Sequence, residues 1–284
     1  MRILVLGATG MLGNAMARLL AEDADLEIIA ATRSREAARH FSATLPLRFI
    51  GDVDAEAPDS LVRIFAAAQP DVVVNCVGLV KQIEDSKSVM AAVPINTLLP
   101  HRLAELCKAT GARLIHISTD CVFSGTAGNY RESDRPDASD VYGLSKYLGE
   151  VSAPHAITLR TSIIGHELRG GLSLLEWFLG QNGSVKGFTR AIFSGVPTAE
   201  LARIVRVYVL PRLDLSGLYH VSAAPITKYE LLRLIAAEYG KQIEIVPDDR
   251  LVIDRSLDST RFREATGYMP PAWPDMIRDM HDFG

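Results

Sequence analysis

The run Gly7-Ala-Thr-Gly10-Met-Leu-Gly13, placed between the apolar strand-like segment Arg2–Leu6 and a helix-patterned segment, constrains the fold of this chain more than any other feature. Glycines at these spacings let the backbone turn tightly, approach a pyrophosphate and pack a helix on a strand. The phosphates then meet the N–H groups of a helix N-terminus. Three glycines could also mark nothing more than a tight turn. Their place at the first strand, heading a βαβ unit, argues for a dinucleotide site built from Gly7, Thr9, Gly10, Met11 and Leu12.

The segments that follow repeat the same unit. Helical periodicity over Met11–Glu22 leads to a strand at Leu26–Ala31 and a helix beginning at Ser34, then short apolar runs at Leu47–Ile50 and Val72–Asn75 with a helical stretch near Ser60–Ala68 between them. A long helical stretch over Val89–Thr110 is interrupted by Pro94 and Pro100, and strands at Arg113–Ile117 and Ala156–Leu159 follow. Strands alternating with helices imply parallel βαβ units, and strands apolar along their whole length imply a sheet covered on both faces. The expected fold is α/β, a Rossmann-type doubly wound parallel sheet over residues 1–161. Residues 162–284 are expected to form mainly a smaller substrate-binding lobe, part of which returns to the sheet. In that half the pattern predicts helices at Leu172–Leu179, Thr198–Leu210 and Lys228–Tyr239, a strand at Ile243–Val246 and a last short helix.

Composition narrows the function classes. A net charge of −4 over 284 residues supplies no general basic field, so nucleic acid is not an expected partner. No apolar run approaches the roughly 20 residues needed to span a bilayer, and a strand opening at position 3 leaves no room for a signal peptide. Cys76, Cys107 and Cys121 lack C-x-x-C spacing and read as reduced thiols of a cytoplasmic protein. The seven histidines form no metal-binding pattern, so no metal is expected.

The second strand ends Thr32-Arg33-Ser34-Arg35, without the acid that would bond a ribose 2′-OH. A guanidinium there suits a 2′-phosphate, so Arg33 and Ser34 point to NADP(H) over NAD(H), the plainer reading being a solvated charged loop. Asp52 and Val53 after the third strand are placed to meet the adenine, and Cys76, Val77 and Gly78 after the fourth to line the cofactor. The fifth strand ends Ser118-Thr119-Asp120-Cys121-Val-Phe123, where ligands lie in open parallel sheets. Next comes Tyr142-Gly-Leu-Ser-Lys146. Residues four apart share a helix face, and a nearby ammonium favours the phenolate. By itself Tyr-x-x-x-Lys usually marks a solvated helix; here a dinucleotide loop and a strand-end hydroxyl precede it.

Taken in this order, Gly7-x-x-Gly10-x-x-Gly13, Ser118-Thr119-Asp120, Val122-Phe123 and Tyr142-x-x-x-Lys146 resemble the extended short-chain dehydrogenase/reductases, and within them the dTDP-4-dehydrorhamnose reductase branch. Leu159-Arg-Thr161, Leu257-Asp-Ser259 and Ala265-Thr-Gly-Tyr268 extend the likeness over nearly the whole chain. The resemblance implies NADPH-dependent reduction of the C4 keto group of a nucleotide-activated 4-keto-6-deoxy sugar, in the making of cell-surface polysaccharide sugars. Tyr142 would protonate the C4 oxygen, Lys146 would hold the nicotinamide ribose and lower the tyrosine pKa, and Thr119 would polarise the carbonyl. A nucleotide sugar is the expected partner, and a homodimer is left open.

Two positions depart from the family. Cys121 stands where an aromatic residue is common, and Ile163 follows Arg160-Thr-Ser162 where a Trp would pack on the sugar. Asp120, Cys121 and Ile163 are therefore expected to face the substrate, and Lys81 is a further candidate. Lys186 and Arg190 are the expected diphosphate clamp, although each read singly is a solvated charge. Dehydratases place Glu where Cys121 stands, which disfavours dehydration. An epimerase using the same Tyr/Lys/Thr set and a non-catalytic NADP-binding regulatory subunit stay open.

Overall fold

The computed structural model describes residues 1–81, 84–168 and 170–284. Seven parallel strands form the central sheet. Six come from the first half: β1 (Arg2–Leu6), β2 (Glu27–Ala31), β3 (Leu47–Ile50), β4 (Val72–Asn75), β5 (Arg113–Thr119) and β6 (Ala156–Thr161). The helices between them are α1 (Met11–Leu20), α2 (Pro58–Ala68), α3 (Val89–Ala92), α4 (Leu99–Thr110) and α5 (Val141–Leu148). β1 pairs in parallel with both β2 and β4, so the chain winds one way through β2 and β3 and the other way through β4, β5 and β6. A crevice opens at the carboxyl ends of β1 and β4, where the winding reverses.

Successive strand residues feed two separate cores. Ile3, Val5, Val72, Val74, Ile115 and Ile117 face one, with α1 packed over them. Leu4, Leu6, Val73 and Leu114 face the other, beneath α2 and α4. Each such side chain contributes about 1.5–3 kcal/mol on leaving water, which is why these strands read as unbroken apolar runs.

Proline placement decides the course of the long helical stretch. It is not broken at Pro94 and Pro100 but continues from α3 through a π-helical segment, Val93–Leu98, into α4. Both prolines sit at the first positions of their segments, where a missing N–H costs least. The segment after β2 is a 3₁₀ turn, Arg35–His40, capped by Ser34, whose hydroxyl accepts from the Glu36 N–H at 3.2 Å.

The second half contributes short paired strands above the carboxyl ends of the sheet. β7 (Ile163–Ile164) pairs with β10 (Val196–Pro197), β8 (Ser184–Phe188) with β13 (Glu244–Asp248), and β9 (Ala191–Phe193) with both β12 (Ile226–Thr227) and β14 (Ile253–Asp254). Between and after them lie α6 (Leu174–Gly180), α7 (Thr198–Ile204), α8 (Lys228–Glu238), α9 (Thr260–Thr266) and α10 (Trp273–Phe283). Two elements of this half join the sheet layer: β11 (Gly217–His220) extends the sheet beside β6, and α7 packs on α1. Among the described residues no helix is long and apolar enough to cross a membrane, and no group of three His, Cys, Asp or Glu side chains could hold a metal ion.

Candidate active site

The crevice at the β1/β4 reversal opens into a cleft of about 790 Å³ running from the N-terminus of α1 to the small strands of the second half. At its floor the glycine loop is built for close backbone approach. A Cβ on Gly13 would collide with the Gly7 carbonyl, so α1 can start this near β1 only without a side chain there. Thr9, Gly10, Met11 and Leu12 line this end, with Cys76, Val77 and Gly78 facing them from β4. A helix N-terminus, open backbone N–H groups and an apolar flank fit the pyrophosphate of a dinucleotide.

A smaller cavity of about 220 Å³ adjoins this end and shares Thr9 and Leu168 with the cleft. Arg33 and Ser34 line it, together with Arg39, which the sequence reading did not single out. The structure brings Asp52 and Val53 into neither cavity. Asp52 has φ of 61° and its carboxylate accepts from Arg35 Nε at 2.6 Å, while Val53 is buried in the α2/α4 core.

At the middle of the cleft Thr119, Tyr142 and Lys146 share one wall. The start of α5 sets the tyrosine. Asp140 caps the helix by accepting from the Gly143 N–H at 2.8 Å, and a Cβ on Gly143 would strike the Cys121 carbonyl, so α5 seats directly on the strand-end turn. Thr119 caps that turn: its Oγ1 accepts from the Cys121 N–H and donates to Asp120 Oδ1, each at 3.1 Å. Burial foremost, then the neighbouring Cys121, pushes the Tyr142 phenol above its ordinary pKa, with a hydrogen bond to Thr119 opposing. Tyr142 therefore holds its proton at neutral pH.

The ammonium of Lys146 donates to the Ile117 carbonyl at 2.8 Å, and is not among the principal influences on the phenol. Burial lowers its pKa to about 8, with Glu150 and Cys76 pulling it back up. Asn96, carried by the π-helical segment and missed from sequence, braces the same corner. Its Oδ1 accepts from the Leu79 N–H at 2.9 Å and its Nδ2 donates to Ser145 Oγ at 3.2 Å.

Asp120, Cys121 and Ile163 line the same cleft. Burial pushes the Cys121 thiol up to about 12 and raises Asp120, which Arg255 and Lys228 pull back. Lys81 lines the rim, its Nζ 2.7 Å from Asp140. Lys186 and Arg190 are not brought to the cleft. Lys186 lies on β8 with Nζ 3.7 Å from Asp248, and Arg190 is an exposed residue beyond the end of that strand. The cations found instead are Lys228 and Arg255. They lie far along the chain from the strand-end motif, and no local spacing marks them.

Ser118 serves a structural purpose. It donates to Glu150 Oε1 at 2.7 Å, and Glu150 also takes a bidentate bond from buried Arg160, 2.7 Å on each arm. This explains the Arg160 of the family motif as a buried anchor beneath the site.

Sheet order and cleft together define a Rossmann-type α/β protein with a dinucleotide-sized crevice at the strand reversal. The chain belongs to the RmlD substrate binding domain family, whose model matches residues 1–282. It is 24% identical over 99% of its length to dTDP-4-dehydrorhamnose reductase of Aggregatibacter actinomycetemcomitans, covering 99% of that protein. It is 31% identical over 84% of its length to methionine adenosyltransferase 2 subunit beta of Danio rerio, covering 74% of that chain. The fold matches a solved dTDP-4-dehydrorhamnose reductase of Bacillus anthracis str. Ames, in complex with NADP, at a TM-score of 0.80, 20% identity and coverage of 100% and 98% of the two chains.

Proposed function

We propose that this protein reduces the C4 keto group of a nucleotide-activated 4-keto-6-deoxy sugar with NADPH. The observation that carries this reading is the placement of Thr119, Tyr142 and Lys146 on one wall of a cleft whose floor is the glycine loop. The reductase names of its relatives support an oxidoreductase on sugar nucleotides, and the complex of its Bacillus anthracis neighbour supports a nicotinamide cofactor.

A bound nicotinamide cofactor supplies the hydride. Thr9 to Leu12 would receive its pyrophosphate, Arg33 and Arg39 its 2′-phosphate, and Lys146 a ribose hydroxyl. Thr119, turning its one O–H from Asp120 Oδ1, would donate to the carbonyl oxygen as its negative charge develops, and protonated Tyr142 would complete the reduction by giving that oxygen its proton. Residues 1–161 would serve mainly the cofactor and 162–284 mainly the substrate.

A second reading has one observation behind it: the Danio rerio relative is named as a subunit of an enzyme of another activity. A subunit without turnover would bind NADPH but consume none. The test is NADPH oxidation with dTDP-4-keto-6-deoxyhexose. We expect consumption matched to sugar reduced, a preference for NADPH over NADH, and loss of that preference in Arg33→Ala. Tight NADPH binding with no consumption on any 4-keto sugar nucleotide would favour the subunit.

A further inference from the structure

We propose that His166 is a positioning residue for the dinucleotide. By bridging α6 and the end of α8 it sets Leu168 where the cleft and the smaller cavity meet, and so governs how tightly the adenosine end of the cofactor is held. This rests on the cofactor placement given above and adds to it the residue that preforms one wall.

Leu168 and Thr9 are common to the linings of both cavities, and Arg33 and Arg39 line the smaller one with them. Glu167, Leu172, Ser173 and Leu174 line the cleft beside Leu168, so the stretch after β7 forms part of its wall. Some bonds shape this stretch from within. Glu167 Oε2 accepts from the Gly171 and Leu172 N–H groups at 2.6 and 2.9 Å, and Ser173 Oγ donates to the Gly165 carbonyl at 3.3 Å. The bonds that tie it to the helices behind converge on His166 and Glu176. His166 Nδ1 lies 3.1 Å from Glu176 Oε1 on α6, and its Nε2 lies 2.8 Å from the hydroxyl of Tyr239, just past the end of α8. Glu176 Oε1 also accepts from the Glu167 N–H at 3.4 Å.

A carboxylate only accepts, so Nδ1 carries a hydrogen. The Tyr239 phenol, kept protonated by burial foremost and then by Glu176, donates to Nε2. Tyr239 packs edge-on against His281 of α10, ring centroids 4.7 Å apart, and a Cβ on Gly284 would collide with the His166 ring. An imidazole engaged at both nitrogens and walled on its face has one orientation, and the backbone passes that constraint to Leu168 two residues on. His166 itself lines neither cavity, so its influence on a dinucleotide is indirect. A wall ordered before the ligand arrives spares binding the entropy of ordering it.

Calorimetric titration with NADPH and with 2′,5′-ADP, which carries the adenosine end alone, tests this. His166→Phe keeps a ring and loses both hydrogen bonds, and should weaken both ligands by about five- to tenfold. Tyr239→Phe removes one hydroxyl and no more, so it serves even if His166→Phe folds poorly, and it should act in the same direction. The double variant should bind no more weakly than His166→Phe, because the two changes remove the same bond. In turnover the KM for NADPH should rise with kcat unchanged. A purely structural role would lower the urea midpoint and leave both affinities of the folded protein unchanged, which would overturn the proposal. So would a loss of NADPH affinity without a loss for 2′,5′-ADP. A wild type that binds neither ligand would sink the cofactor reading as well, whereas wild-type binding with unaltered variants sinks this proposal alone.

Discussion

At neutral pH Tyr142 carries its proton because of burial, and Lys146 keeps its charge in spite of it, with Glu150 and Cys76 opposing the loss. Tyr142 is desolvated beside Cys121 and so resists ionisation, which suits an acid that must still have a proton to give when the carbonyl oxygen becomes negative. Lys146 has an ammonium poised to be lost as pH rises through about 8. If that charge orients the reactants, kcat/KM, which reports the free enzyme, should fall above about pH 8 by roughly tenfold per unit. A profile flat to pH 10 would remove Lys146 from the machinery. The sequence places phenol and ammonium one helical turn apart, yet the ammonium turns to the Ile117 carbonyl. Only the positions of β5 and α5 relative to each other reveal that.

Among the elements, the β1–loop–α1 unit is the most legible in sequence and the least tolerant of change. Its strand is an unbroken apolar run and its glycines have a steric cause, so period and spacing suffice to read it. We expect Gly13→Ala to destabilise the protein by about 1–3 kcal/mol, because the new Cβ forces α1 off the Gly7 carbonyl. Urea denaturation measures the loss, and dinucleotide affinity should fall with it; an unchanged midpoint would mean the loop relaxes without cost. The short strands β7, β9, β10, β12 and β14 were not legible. Two or three residues carry no periodicity, and their pairing is set by partners distant in the chain. Lys228 and Arg255 reach the cleft on the ends of such pieces. Lys186 shows the converse: a cation expected at the diphosphate proves to be an outward strand residue beside Asp248.

Across the whole molecule, the second half is tied into the sheet by a buried polar network. His220 on β11 has Nδ1 3.0 Å from the Tyr130 carbonyl and Nε2 3.3 Å from Arg160. Arg160 can only donate, so the neutral ring accepts at Nε2 and donates from Nδ1. Burial foremost, then the Arg160 charge, lowers its pKa to about 4, against about 6.5 unfolded. The unfolded chain therefore takes up this proton first. Stability is fully present above about pH 6.5 and is lost as pH falls towards 4, by about 3 kcal/mol from this residue. His116, buried and lowered in the same direction, adds to the slope. Urea titrations at pH 7 and pH 4.5 should show the loss, and His220→Gln should reduce it; an identical slope in the variant would mean the ring is already charged in the fold.

The central claim is that Tyr142 delivers the proton to a sugar carbonyl. It is tested most directly by Tyr142→Phe, with NADPH oxidation followed on dTDP-4-keto-6-deoxyhexose and NADPH binding measured on the same preparation. Turnover should disappear while NADPH affinity stays near that of the wild type. Unchanged NADPH consumption in Tyr142→Phe would contradict it.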